Sequence, residues 1–155
     1  MPEPRVIPVQ GASSSDWNAK TFWYEPWGRS GVHKGIDIFA SHNTPVIAAS
    51  HQIVLYRGTA KNGGNIILAL GPKWTLHYYA HLSQIDEGAG LFVSKGTKLG
   101  SVGDTGNAAG KSPHLHYSLV SLLPRVWRID TSSQGYKKAF YINPIEYLSQ
   151  AESEE

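Results

Sequence analysis

The sequence predicts an all-β fold with minor helix. Three observations carry that expectation. Sixteen glycines and nine prolines interrupt a chain of 155 residues, so regular segments must be short. Between those breaks stand brief runs of β-branched, aliphatic and aromatic residues. No stretch sustains the 3.6-residue apolar period of a long helix. Hydrophobic residues make up 41% and charged residues 17%. That balance is globular rather than disordered, and the length suits one domain with its own core.

The elements follow in order. Met1 to Val9 carries three prolines and is expected as an extended arm. Ser13 to Ser15 with Asp16 reads as a polar turn. Trp17 to Trp27 holds three tryptophans, Phe22 and Tyr24. Most of these rings are expected over a sheet edge, and some could wall a substrate groove, where rigid rings give contact at little entropic cost. Strands are expected within Val46 to Tyr56, with a turn at Ser50 to Gln52, and at Ile66 to Leu70 after the Gly63-Gly64-Asn65 turn. Further strands are expected at Trp74 to Leu82, Leu91 to Val93, Lys98 to Val102, His114 to Leu122 and Val126 to Ile129. Gly103 to Pro113 reads as a long glycine-containing loop. Pro144 to Leu148 reads as a helical turn. The resulting division is an arm and aromatic edge over 1–31, the domain over 32–148, and an acidic tail over 149–155.

Composition also excludes. A formal net charge of +2 is too small a bias for a nucleic-acid partner. The chain has no cysteine, so disulfides, thiolate metal sites and a cysteine nucleophile are ruled out. The best apolar run, Ile66 to Leu70, is far short of a membrane span. Met1 to Gln10 lacks the basic-then-apolar pattern of a secretory signal. An extracytoplasmic protein with this sequence would need its export segment supplied upstream.

The chemistry is concentrated in the histidines. In His33-Lys34-Gly35-Ile36-Asp37, an extended chain would put positions four apart on one side. The His33 imidazole and the Asp37 carboxylate can then converge. In His114-Leu115-His116 both imidazoles share a strand face while Leu115 faces the core. Tyr79-Ala80-His81 adds another imidazole at a strand end. Each pair alone is a common coincidence. Together they offer two imidazoles, one carboxylate and spare histidines. Three nitrogen and oxygen ligands with one open position is the pattern of catalytic rather than structural zinc. No glutamate falls within the histidine motifs, so proton transfer falls to histidine. His114, on the strand face of His116, is the first candidate, and His81 the second. His42 and His51 read as surface histidines. His77 reads the same way, with the reservation that it shares strand parity with Tyr79 and His81 and could border the groove. Asn107 and Lys111, in the loop before His114, are candidate substrate contacts.

Four segments in order resemble the lysostaphin/LytM-type peptidoglycan endopeptidases. They are "HKGIDI" at 33–38, "TPVIAA" at 44–49, "YAHLS" at 79–83 and "GDTGNAAGKSPHLH" at 103–116. "NPIEYL" at 143–148 resembles the usual family ending, so the likeness runs from Val32 to Leu148. It implies one zinc ion held by His33, Asp37 and His116, with His81 and His114 as catalytic histidines. It implies a compact antiparallel β fold with a zinc-containing groove. A family tyrosine upstream of the first ligand would fall at Tyr24, or its place be taken by Trp27. The segment from Leu122 to Phe140 is longer than usual for the family. The implied activity is zinc-dependent hydrolysis of peptide bonds in bacterial peptidoglycan, by a monomer working outside the cytoplasm, without nucleic-acid or membrane partners. Two other readings remain. One is an inactive LytM-type domain that regulates another wall hydrolase, although such domains typically lack ligands that stand here. The other is a lipoyl- or biotinyl-type carrier, suggested by Leu91 to Val102, although no lysine there lies beside a methionine.

Overall fold

Strand pairing in this protein is antiparallel throughout the described sheet. The structure is a computed structural model that describes residues 5–18, 21–23 and 33–149. The strands are β1 (Ile36–Phe39), β2 (Pro45–Ile47), β3 (Gln52–Ala60), β4 (Gly64–Gly71), β5 (Thr75–Ile85), β6 (Phe92–Val93), β7 (Lys98–Val102), β8 (His114–Ser121) and β9 (Tyr141–Ile142). One short helix, α1 (Pro144–Ser149), follows. The order across the sheet is β1-β8-β5-β4-β3-β6, with β9 on β8, and β7 joining β5 to β2. The all-β class with minor helix is what the sequence predicted.

The pleat decides what each strand buries. Ile36 and Ile38 of β1, Leu115, Tyr117 and Leu119 of β8, and Tyr79 of β5 all point into one core. Tyr147 and Leu148 of α1 close part of it. Residues 5–9 belong to the same packing. Ile7 and Val9 are buried, the Val6 N–H donates to Ala49 O (2.8 Å), and the Ile47 N–H donates to Pro8 O (2.9 Å). Pro8 favours an extended path here, and residues 45–49 take up the segment's free backbone groups.

The β3–β4 turn needs a glycine at Gly64, where φ is +69°. A side chain there would also collide with Thr105 and the Gly106 amide. The absence of a Cβ therefore lets the 103–113 loop lie against this turn. Asn65 completes the join. Its N–H donates to Thr105 Oγ1 (3.1 Å), and its side-chain amide donates to Leu82 O (2.9 Å).

Two expectations are corrected. Val126 to Ile129 is not a strand. Val126–Arg128 forms a 3-10 turn, and Val126 and Trp127 are exposed, so no sheet face holds them. His33 does not sit on an extended strand with Asp37, because β1 begins only at Ile36.

A buried histidine sits behind the sheet. His77 is fully enclosed, stacks on Tyr79 and meets Tyr147 edge-on, and its Nδ1 is 2.6 Å from the Tyr117 hydroxyl. Burial, and then the nearby Arg5, lower its pKa from 6.5 to about 3. The unfolded chain binds a proton here below pH 6.5, whereas the folded chain does not until about pH 3. His77 therefore leaves stability intact above pH 6.5 and erodes it as the pH falls toward 3, by up to about 1.4 kcal/mol per unit. Urea unfolding of metal-free protein between pH 7 and pH 4 should show a shallower pH slope for His77→Phe than for the parent. Parallel slopes would remove His77 from the account.

Candidate metal centre

Strands β1 and β8 create the centre by their register. Asp37 lies directly opposite His116, and both point away from the core that takes Ile36, Ile38, Leu115 and Tyr117. His33 arrives from the segment preceding β1. Gly35 permits the approach, since a side chain there would strike the Ser118 hydroxyl and the Tyr117 carbonyl.

Three ligand-type atoms meet. His33 Nε2 is 3.2 Å from His116 Nδ1 and 3.3 Å from Asp37 Oδ1, and His116 Nδ1 is 3.0 Å from the same oxygen. Zinc bonds of about 2.0–2.1 Å in tetrahedral array would set such atoms about 3.3 Å apart. The donor set fits the ion in both type and spacing. Among the described residues, this trio is the group of histidine and acidic side chains that could hold a metal. His33 is 1% exposed, while the Asp37 and His116 side chains are 16% and 19% exposed. The trio is sheltered yet reachable. Burial alone would raise the Asp37 carboxyl, but hydrogen bonds from His116 and His33, with their charge, outweigh it and hold the group far below the usual carboxylate range. It remains an anion.

Backbone carbonyls set the tautomers. Nδ1–H of His33 donates to Thr21 O (2.9 Å), that of His81 to Thr105 O (2.8 Å) and that of His114 to Ser112 O (2.9 Å). A carbonyl only accepts, so each ring in its neutral form, the form that binds a metal, keeps its lone pair on Nε2. His116 is the inverse case. Its Nδ1 faces the trio, and its Nε2 lies 3.0 Å from Ser118 Oγ. Such outer partners orient ligand imidazoles and raise their basicity. Ser118→Ala should weaken zinc affinity roughly 10–100-fold, read by competition with a chelating dye, with little change in Tm. Unchanged affinity would show that the hydroxyl leaves the ring's orientation alone.

His114 and His81 flank the trio. His114 Nε2 is 3.8 Å from Asp37 Oδ1. The His81 ring centroid is 5.1 Å from that of His114 and 6.0 Å from that of His116. Burial, together with the positive field of His116 and His114, lowers His81 to about 4 against the opposing Thr105 bond, so the ring is neutral at pH 7.

The backbone of β5 explains why His81 is here and His77 is not. Tyr78 and Ala80 share the face of His116, opposite Ser118 and His116 in register. Strict alternation would send His81 to the core with His77 and Tyr79. His81 instead adopts φ +64°. On β4 the pairing steps from Asn65↔Leu82 to Ile67↔Tyr79, so β5 carries one extra residue. That bulge turns His81 onto the groove face while Leu82 returns to the core. His77 therefore does not border the groove, because alternation holds it in the core beside Tyr117.

The remaining expectations separate. Asn107 is exposed in the 3-10 turn Gly106–Ala108, and its N–H donates to Asn62 O (2.9 Å). Tyr24 and Trp27 lie outside the described residues. Sequence reasoning passed over two side chains. Ser118 could have been found, since it shares strand parity with His114 and His116. Tyr78, edge-on to His116 at 6.1 Å, carried no signal beyond its position before Tyr79.

Comparisons with known proteins give the chain's family and fold relatives. The model of Peptidase family M23 matches residues 31–126. The DD-carboxypeptidase/endopeptidase Mpg of Neisseria meningitidis serogroup B is 36% identical over 86 residues, covering 56% of this chain and 19% of its own length. The catalytic domain of the antimicrobial peptidase lysostaphin from Staphylococcus simulans superposes with a TM-score of 0.63 at 28% identity, covering 80% of this chain and 85% of that one. A zinc-containing peptidase from Vibrio cholerae superposes with a TM-score of 0.60 at 25% identity, covering 76% and 37%. The chain spans about a fifth of the length of the curated relatives it matches first.

Proposed function

The chain belongs to peptidase family M23, and on that premise we propose that it is a zinc endopeptidase that cleaves peptide bonds in bacterial peptidoglycan. The observation that carries the reading is the trio of His33, Asp37 and His116 at tetrahedral ligand spacing, flanked by two oriented imidazoles. The relatives named DD-carboxypeptidase/endopeptidase and lysostaphin support the substrate class. Work on that polymer places the protein outside the cytoplasm. No helix among the described residues is long and apolar enough to cross a membrane.

Zinc, held by His33, Asp37 and His116, would polarise the scissile carbonyl and make water nucleophilic at neutral pH. His114, whose Nε2 lone pair lies nearest the trio, accepts the proton that the attacking water gives up. His81, whose Nε2 also carries a lone pair because its Nδ1–H goes to Thr105 O, is the second imidazole able to take a proton beside the site. The accepted proton then passes to the departing nitrogen, so the C–N bond breaks to an amine and a carboxylic acid, whose own proton goes on to the amine or to solvent. Asn107, exposed on the turn after Thr105, is the loop side chain assigned to substrate contact in this reading. The alternative of an inactive regulatory domain finds no missing ligand to rest on.

Mass spectrometry of fragments released from purified peptidoglycan tests the reading. Cleavage of a peptide crosslink is expected, abolished by a chelator and restored by zinc. Sacculi and isolated crosslinked peptides that both survive zinc-loaded protein would overturn it in favour of the regulatory domain.

A further inference from the structure

The segment between β8 and α1, for which the proposed function has no role, builds a cavity of about 300 Å³. Trp23 and Tyr141 supply its aromatic walls, with ring centroids 6.0 Å apart. Trp23 is tied to the segment by its Nε1–H, which donates to Ser133 O (2.9 Å). The cavity adjoins the metal centre. The Trp23 N–H donates to His33 O (2.6 Å), and the neighbouring Thr21 carbonyl holds the His33 ring. Tyr78 connects the two places: it is edge-on to His116, and its phenol is raised by burial and then by Tyr141 nearby.

Its charges do not balance. Three cations line it, and two of them already have carboxylates. Arg128 is 3.8 Å from Glu146, and Lys138 is 2.5 Å from Asp130. Arg125 has neither. One of its terminal nitrogens donates to the Tyr141 carbonyl (3.3 Å), its enclosed Nε–H has no acceptor, and no carboxylate is within ion-pair distance of it among the described residues. Burial, and then Arg128, lower its pKa, with Glu146 opposing. A guanidinium stays charged regardless, so this one is short of negative partners. A guanidinium whose terminal nitrogens edge a half-open cavity walled by rings matches a planar carboxylate.

We infer that this cavity is a carboxylate-binding subsite, in which Arg125 receives an acidic group of the peptide next to the scissile bond. Its role as a subsite rests on the peptidase reading above. The substrate it selects is a carboxylate-bearing stem peptide rather than a neutral glycine bridge. The family match spans residues 31–126, and most of the cavity's lining residues lie outside it.

Calorimetric titration of the full metal-free chain tests this, using a purified stem tetrapeptide and the same peptide with every carboxylate amidated. The parent should bind the acidic peptide at least about tenfold more tightly. Arg125→Gln should erase that preference, a loss of about 10–100-fold for a charge-assisted bond, and leave the amidated peptide unaffected. Arg125→Lys, which keeps the charge without the fork, should retain part of the preference. In parallel, zinc-loaded Arg125→Gln should show a raised KM on a crosslinked stem-peptide dimer with kcat within about twofold. Equal binding of both peptides by the parent, or a preference that survives Arg125→Gln, overturns the inference. The two readings fail separately. Carboxylate-dependent binding without any hydrolysis would retire the peptidase and keep the site. Hydrolysis indifferent to Arg125 would do the reverse.

Discussion

Replacing His116 with alanine should empty the metal centre and reduce crosslink hydrolysis to background. The residue supplies Nδ1 to a trio whose members stand 3.0–3.3 Å apart. Its removal leaves one imidazole and one carboxylate. Two ligands do not close a catalytic zinc site, and the loss should exceed the roughly 10–100-fold cost of deleting an outer partner. The fold should survive, because the ring faces the groove while Leu115 and Tyr117 on either side fill the core. Metal analysis after dialysis against excess zinc should find less than one ion per chain in the variant and one in the parent. A variant that still holds a full equivalent would move the metal elsewhere.

His114→Ala should give the opposite pattern. Zinc binding should stay near that of the parent, since Nε2 of His114 stands 3.8 Å from Asp37, beyond the close trio. Turnover should drop by about 10²–10⁴, the range for a lost general acid–base group. The decrease should appear in kcat more than in KM, because the proton transfer belongs to the transition state. Full activity in His114→Ala would cancel the assignment and leave His81 as the base.

These two predictions separate residues that the sequence places side by side. His114 and His116 share a strand face, and the parity of β8 made that readable without coordinates. What parity leaves open is which ring nitrogen each residue presents. The carbonyl of Ser112 and the hydroxyl of Ser118 give the two rings opposite answers. Bonds of that kind come from the path of the backbone.

The same limit applies to β5. A period of two predicts His77 and His81 on one face, and the sequence does not announce a break in it. The bulge arises because β5 must pair with β4, β7 and β8, with a register shift within its pairing to each of β4 and β7. The join of Asn65, Thr105 and Leu82 holds that shift in place. One non-glycine residue at φ +64° thus sends His81 to the chemistry and leaves His77 in the core. Strain of this kind persists where surrounding contacts over-determine it.

From composition and periodicity alone came the β class, the absence of thiol chemistry and the grouping of histidines with Asp37, because these depend on residue type and short-range geometry. The ordered motifs extended that to a family and a ligand set. The meeting of His33 with β8, the turn of His81 onto the groove, and the cavity around Arg125 join residues up to 120 or so positions apart, and they depend on register and packing. Local sequence carries no record of such distances. Strand pairing and packing create them, and a shift of one residue in β8 would have sent His116 to the other face.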